Sequence, residues 1–240
     1  MISNVVDTAI LSETGPRSEN EDSTLAVSFG SSSTLIAVAD GLGGHEGGKI
    51  ASRCAVDTLL ERVRTTGGRH FLKDILLNIH SDLRTLQEES SNVRGMATTL
   101  SAAVIEPPRM SFVHCGDTRI AVARGDGIKR LTVDHSEAQR LFDAGKLSRE
   151  QLAAYPRKNI LDSALGIQGT PKIDEGEFSL RPGDKIFITS DGLHTKILLR
   201  ELLAISKKCS SAQSLVDEIG REMSSRRAED NYSLVCAIIS

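Results

Sequence analysis

The chain has 240 residues, 39% hydrophobic and 25% charged, which excludes a disordered or collagen-like polymer and suffices for a core without disulfide or metal staples. Twenty-nine basic against thirty-two acidic side chains leave a net charge of −3, and there are only six Phe, two Tyr and no Trp. Both facts argue against a nucleic-acid binder, which needs a basic surface and stacking platforms. Cys54, Cys115, Cys209 and Cys236 are scattered, without CxxC zinc spacing; three of them sit in apolar segments and read as small buried hydrophobes, which fits a reducing compartment. The first basic residue is Arg17, so no charged leader precedes an apolar segment, and no apolar run approaches the ~18 residues of a membrane span. The expectation is a soluble cytoplasmic protein.

Residues 4–11 and 33–40 are short and β-branched and read as strands. From 46 to 65 the period changes: Ile50, Ala51, Cys54, Ala55, Thr58, Leu59 and Val63 share a helical face, ended by Gly67-Gly68. Phe71, Leu72, Ile75, Leu76, Ile79, Leu83 and Leu86 form the stripe of a second helix. Strands return at 98–105, 110–115, 118–124 and 127–132, separated by Pro107-Pro108, Gly116-Asp117 and Gly125-Asp126-Gly127. The last two have the chemistry of tight hairpins. Residues 136–160 are polar, with short helical pieces at 136–143 and 148–153, and read as an insertion beside a site. Strands follow at 173–179 and 184–190, then a helix from Ser211 to Met223 and a strand from Tyr232 to Ile239. No repeat or linker is visible, so one α+β domain is expected over residues 1–240, with antiparallel sheets and helices on their faces.

Short acidic turns at strand ends carry the chemistry. They are Asn20-Glu21-Asp22, the run DGLGGHEGG from Asp40 to Gly48, Gly116-Asp117-Thr118-Arg119, Ser190-Asp191-Gly192 and Glu229-Asp230-Asn231. Apolar strands run into Asp40 and Asp191 and out of Asp230. Carboxylates gathered at one sheet edge repel, and a hard divalent cation such as Mg²⁺ or Mn²⁺ relieves that conflict. Gly41 leaves its carbonyl open to approach. Singly, each turn is an ordinary Asp-Gly turn. The glycine-rich run also lacks the lysine and spacing of a phosphate loop.

Taken in order, these segments resemble the metal-dependent protein phosphatases, the type 2C protein serine/threonine phosphatases, in their compact bacterial form. The resemblance is carried by GPRSENEDS (15–23), VADGLGGHEGG (38–48), GMATTLSAAV (95–104), HCGDTRIAVAR (114–124), LTVDHS (131–136), NILDSALG (159–166), PGDKIFITSDGL (182–193) and EDNYSLV (229–235). It implies an α-β-β-α sandwich of two antiparallel sheets flanked by helices, with two Mn²⁺ or Mg²⁺ ions at one end. Asp40 would bridge the ions and the Gly41 carbonyl would face one. Asp191 and Asp230 would complete the first, Glu21 or Asp22 would serve the second, directly or through water, and Asp117 with Asp191 would hold a weaker third. Arg17 would grip the substrate phosphate, and a flap would cover about 134–164.

The implied reaction is hydrolysis of phosphoserine or phosphothreonine by a metal-bridging hydroxide. Phosphorylated proteins and a cognate Ser/Thr kinase are the implied partners, without nucleic acid or membrane, for a monomer. Leu42 stands where many members carry a histidine general acid, which leaves His45 or a water for that step. Thr118 replaces a usual serine, and no basic residue precedes Leu165-Gly166. Two other readings stay open: a catalytically weak phosphoprotein-binding regulator on the same fold, and another metal phosphohydrolase acting on diesters. His135 and His194 are candidates for tuning the site.

Overall fold

The computed structural model describes residues 6–30, 32–43, 46–66 and 71–240. His45 and Gly67-Gly68, singled out above, lie outside the described residues. The strands are β1 (Val6–Glu13), β2 (Asp22–Phe29), β3 (Ser33–Leu42), β4 (Ala97–Thr98), β5 (Leu100–Glu106), β6 (Arg109–Cys115), β7 (Arg119–Arg124), β8 (Gly127–Arg130), β9 (Asp174–Ser179), β10 (Lys185–Thr189) and β11 (Tyr232–Ile239). The helices are α1 (Glu46–Thr66), α2 (Leu72–Glu89), α3 (Glu137–Asp143), α4 (Arg149–Ala153), α5 (Asp191–His194), α6 (Leu199–Ser206) and α7 (Ala212–Ser225).

One sheet has the order β2-β3-β5-β6-β9, with β4 beside β3; the other is β1-β11-β10-β7-β8. The paired strands are antiparallel. Three apolar layers separate four layers of structure, so the expected α-β-β-α sandwich is what forms. Ala51, Ala55, Leu59 and Val63 of α1 and Ile75, Leu76, Ile79 and Leu83 of α2 pack on Leu35, Ala37, Ala102 and Val104. Leu215, Val216, Ile219 and Met223 of α7 pack on Leu234, Cys236 and Ile238. Between the sheets, Ile36, Val38, Ala103 and Ile105 meet Ile120, Val122, Ile186, Ile188, Val235 and Ala237. Cys115, Cys209 and Cys236 are buried and Cys54 partly so, all as free thiols. Among the described residues no helix is long and apolar enough to cross a membrane.

The structure departs from the sequence expectations at three places. β2 is an unanticipated strand whose Leu25 and Phe29 pack toward α1 while Ala26 packs between the sheets. The short helices α5 and α6 are also unanticipated. Gly116-Asp117 is not a hairpin: β6 and β7 belong to different sheets, and the turn carries the chain across the sandwich. Gly116 adopts φ +107°, and a Cβ there would sit 2.6 Å from the Thr99 side chain, so glycine is required. Gly125-Asp126 does form the tight β7–β8 turn, with Arg124 opposite Gly127.

The sandwich end reached by Arg124 is closed by charge. Asp184, its side chain 1% exposed, accepts two bonds from Arg124 at 2.7 and 2.6 Å and one from the Arg181 amide at 2.9 Å. The same guanidinium reaches the Ser179 carbonyl at 2.7 Å on β9, so it clasps both sheets. Replacing Arg124 with Met strands a buried carboxylate, which costs about 3–5 kcal/mol. In urea denaturation the midpoint should fall by roughly 1 M. Arg124→Lys should recover only part of that loss, because an ammonium lacks the planar fork; an unmoved midpoint in Arg124→Met would show the clasp to be idle.

Candidate active site

Alternation along the strands builds the site. Ile36 and Val38 face the inter-sheet layer, so Asp40, two residues on, faces the same way. Ser190 follows Ile186 and Ile188 by the same rule, and Ser233 precedes Val235. Asp22 stands opposite Asp40 in the β2–β3 register. The apolar layer thus ends in a polar collar at the end opposite the Arg124 clasp. Asp191 begins α5 directly after β10, and Asp230 lies just before β11.

A cleft of about 740 Å³ opens there, lined among others by Arg17, Glu21, Asp40, Gly41, Asp117, Asp191 and Asp230. Every acid expected from the sequence lines it except Asp22, which is buried and accepts the Ser190 hydroxyl proton at 2.8 Å. Glu21 and Asp22 therefore part company: Asp22, the first residue of β2, points toward the inter-sheet layer, and Glu21, just before the strand, toward the cleft and α1. A Cβ on Gly48 would lie 2.1 Å from Glu21 Oε2.

The backbone around the acids is held closely. The Asp40 amide donates to Thr99 Oγ1 at 2.9 Å, and its carbonyl accepts from the Thr99 amide and from Thr98 Oγ1, both at 2.9 Å. The Gly41 amide donates to the Glu21 carbonyl at 3.2 Å. A Cβ on Gly41 would meet the Gly48 carbonyl oxygen at 2.2 Å, and one on Gly192 would meet that of Asn231 at 2.0 Å. Both glycines are thus required by backbone approach at the rim. Asn231 donates to the Thr14 and Glu19 carbonyls at 2.7 and 2.8 Å and accepts from the Glu21 amide at 2.9 Å. It pins the 14–21 loop to β11, a role not assigned from the sequence although it sits beside Asp230.

Charge at the rim is frustrated. Burial, then the neighbours Asp22, Asp191, Asp117 and Asp230, raises the Asp40 pKa well above 3.8. Burial, with Asp191 second, lifts Asp117 to about 8. Burial also lifts Asp22 to about 7 against the hydrogen bonds from Ser233 and Ser190. Asp191 is raised by burial and by Asp230. Asp230 itself pairs with Arg17 at 2.7 Å.

Among the described residues no three His, Cys, Asp or Glu side chains stand in a finished cation cage. The donor chemistry nevertheless fits a hard divalent ion: carboxylate and carbonyl oxygens around one cleft, with carboxylates that burial and mutual repulsion drive toward protonation.

His194, His114 and His135 are structural. His194 is buried, its Nε2 donates to the Asp117 carbonyl at 3.1 Å, and burial lowers its pKa to about 3. His114 accepts from Ser101 at 2.9 Å and donates to the Val133 carbonyl at 3.1 Å. His135 accepts from the Gly116 amide at 3.3 Å and faces Asp174 at 3.1 Å. Together they tie the Asp117 turn to residues 133–135. Thr118 keeps its hydroxyl in this network, 2.8 Å from Ser101 Oγ.

Several solved structures similar to this chain are serine/threonine phosphatases. A serine/threonine phosphatase from S. agalactiae matches 98% of this chain and 100% of its own, at 28% identity and TM-score 0.90. The catalytic domain of the phosphatase PstP, in complex with two manganese ions, matches 98% of each chain at 25% identity and TM-score 0.83. Protein phosphatase PhpP of Streptococcus pneumoniae is 32% identical over 201 residues, 80% of each chain. The family model for protein phosphatase 2C matches residues 16–231. The chain belongs to the protein phosphatase 2C family.

Because Asp22, Asp40, Asp117 and Asp191 hold protons more tightly folded than unfolded, the folded chain carries more protons between about pH 4 and 8. Their contribution to stability therefore falls as pH rises through that window. In chelator, thermal unfolding of the protein should decline from pH 5.5 to 8 more steeply than that of Asp40→Asn. The variant should melt about 2–4 °C higher at pH 8 for each kcal/mol of repulsion relieved. Mn²⁺ should raise the melting temperature of the unaltered protein more at pH 8 than at 5.5; parallel curves for the two proteins would contradict the charge conflict.

Proposed function

We propose that the chain is a cytoplasmic, divalent-cation-dependent phosphatase of phosphoserine and phosphothreonine in proteins. It acts as one domain over residues 1–240, with a flap at about 134–164, as a monomer opposing a Ser/Thr kinase. The observation that carries the reading is the gathering of Asp40, Asp117, Asp191 and Asp230, from four separate segments, on one cleft with Arg17 at its mouth. The names of the relatives, and the two manganese ions of PstP, support it.

In this reading Asp40, the Gly41 carbonyl, Asp191 and Asp230 would hold the cations together with Glu21, which lines the cleft with Asp22 behind it, and Asp117 would hold a further, weaker one. When bound, the cations supply a water acidified enough to attack phosphorus at neutral pH. The rest is work for the chain's own groups. The Thr98 and Thr99 hydroxyls fix the Asp40 backbone, so its carboxylate is positioned without reorganisation. Arg17, its side chain 57% exposed, turns from Asp230 to an arriving phosphate, whose oxygens match its planar fork. The leaving alkoxide takes its proton from water or from His45.

Asp40→Asn and Asp191→Asn should each lower kcat on p-nitrophenyl phosphate about a hundredfold or more while the fold persists by circular dichroism. Arg17→Ala should raise KM about tenfold, the worth of one charge-assisted contact. Its Mn²⁺ uptake in titration calorimetry should not weaken. Full turnover in either aspartate variant would remove the proposed role of these acids.

A further inference from the structure

A second cavity, of about 620 Å³, opens beside the acidic cleft and shares Asp117, Asn159 and Asp191 with it as a common wall. Its chemistry differs. The floor is apolar, made by Phe187 of β10 with Leu193 and Leu202 behind it. The rim carries Leu198 and Leu199, 47% and 37% exposed, where α6 begins. Single exposed leucines are ordinary, but two in sequence on the lip of an apolar floor make a patch.

The cavity's cations fall into two sets. Arg119 grips Asp134 with two bonds, at 3.0 and 2.6 Å, and Arg130 adds a third at 3.4 Å. Those charges are spent. Arg149, on α4, and Lys158, in the turn after it, also line the cavity. Neither side chain makes an ion pair or hydrogen bond with any described residue. Lys158 feels Asp191 and Glu229, and Arg149 feels Glu150, only at longer range; an apolar trough with two cations free of direct ion pairs on one wall complements an aliphatic side chain next to a carboxylate.

We propose that this trough receives the segment of a phosphoprotein substrate next to its phosphorylated residue, selecting a large aliphatic residue adjacent to Asp or Glu. The proposal rests on the phosphatase reading of the acidic cleft. The aliphatic side chain covers Leu198 and Leu199, and the acid meets Arg149 and Lys158. An extended peptide advances about 3.3 Å per residue, so a few residues bridge two cavities that share a wall.

Two phosphothreonine peptides test it, one with Leu-Glu three residues from the phosphothreonine and one with Ser-Lys there. The variants are Leu198→Asp and Arg149→Glu. Leu198 is the residue before the first turn of α6, where aspartate caps a helix better than leucine, so the fold is not put at risk. The readouts are kcat/KM on each peptide divided by that on p-nitrophenyl phosphate, and binding of the labelled peptides by fluorescence anisotropy. The unaltered protein should favour the Leu-Glu peptide tenfold or more, and each variant should lose most of that preference. Equal handling of both peptides, or variants that keep the preference, overturns the proposal. A concentration-dependent dimer broken by Leu198→Asp, without any peptide preference, would assign the trough to a second copy of the chain and overturn it as well. Should p-nitrophenyl phosphate survive any Mn²⁺ concentration while anisotropy still shows the preference, the trough stands and the phosphatase reading falls.

Discussion

Asp22 and Asp40 face each other across adjacent strands, with an apolar layer behind them and Asp117 and Asp191 close by. No arrangement of side chains satisfies that many buried negative charges by itself. Protons, Arg17 and the Ser190 hydroxyl each take a share, and the pKa values of about 7 and about 8 for Asp22 and Asp117 record the remainder. The rest of the sandwich works to keep the acids together. A chain free to relax would simply swing them apart into water.

The two ends of the sandwich solve opposite problems. At the far end one guanidinium neutralises Asp184 and joins both sheets, so that end is shut. Among the described residues no Lys or Arg side chain is buried among the acids at the rim, and the restraint comes from neutral groups instead: the Thr98 and Thr99 hydroxyls, the Asn231 amide, His194 on the Asp117 carbonyl, and glycines that let backbones touch. Neutral restraints hold position without quenching charge. That combination leaves the carboxylates both fixed and unsatisfied, which is the state a cation-binding centre needs.

Much of this was legible in the sequence, for physical reasons that also mark where it was not. The long apolar stripes of α1 and α2 and the β-branched run of β3 are strong periodic signals, and they fold as read. β2 was missed because its inward face is small and polar, Thr24, Ala26 and Ser28, which dilutes the alternation of Leu25, Val27 and Phe29. α6 is eight residues of leucine-rich chain, too short for periodicity to separate helix from strand. The acids were legible as motifs, but the choice between Glu21 and Asp22 depends on where β2 begins and which way Asp22 then faces, and that is fixed only by the Asp22–Asp40 register. Gly116 was visible as a turn, yet whether it closes a hairpin or crosses between sheets depends on where β7 finds its partner, which is β10.

β11 is the second strand of its sheet, seated between β1 from the start of the chain and β10. All eight residues of β1 pair with it, from Val6 opposite Ile239 to Glu13 opposite Tyr232. During synthesis, then, β1 has no strand to bind until the last residues of that strand clear the ribosome, and Asp230 cannot take its place before then. A nascent chain holds every other acid of the rim yet lacks the staple that brings them to order. The closing of that sheet and the arrival of Asp230 at the rim are therefore one event, because the strand that pairs with β1 begins two residues after Asp230.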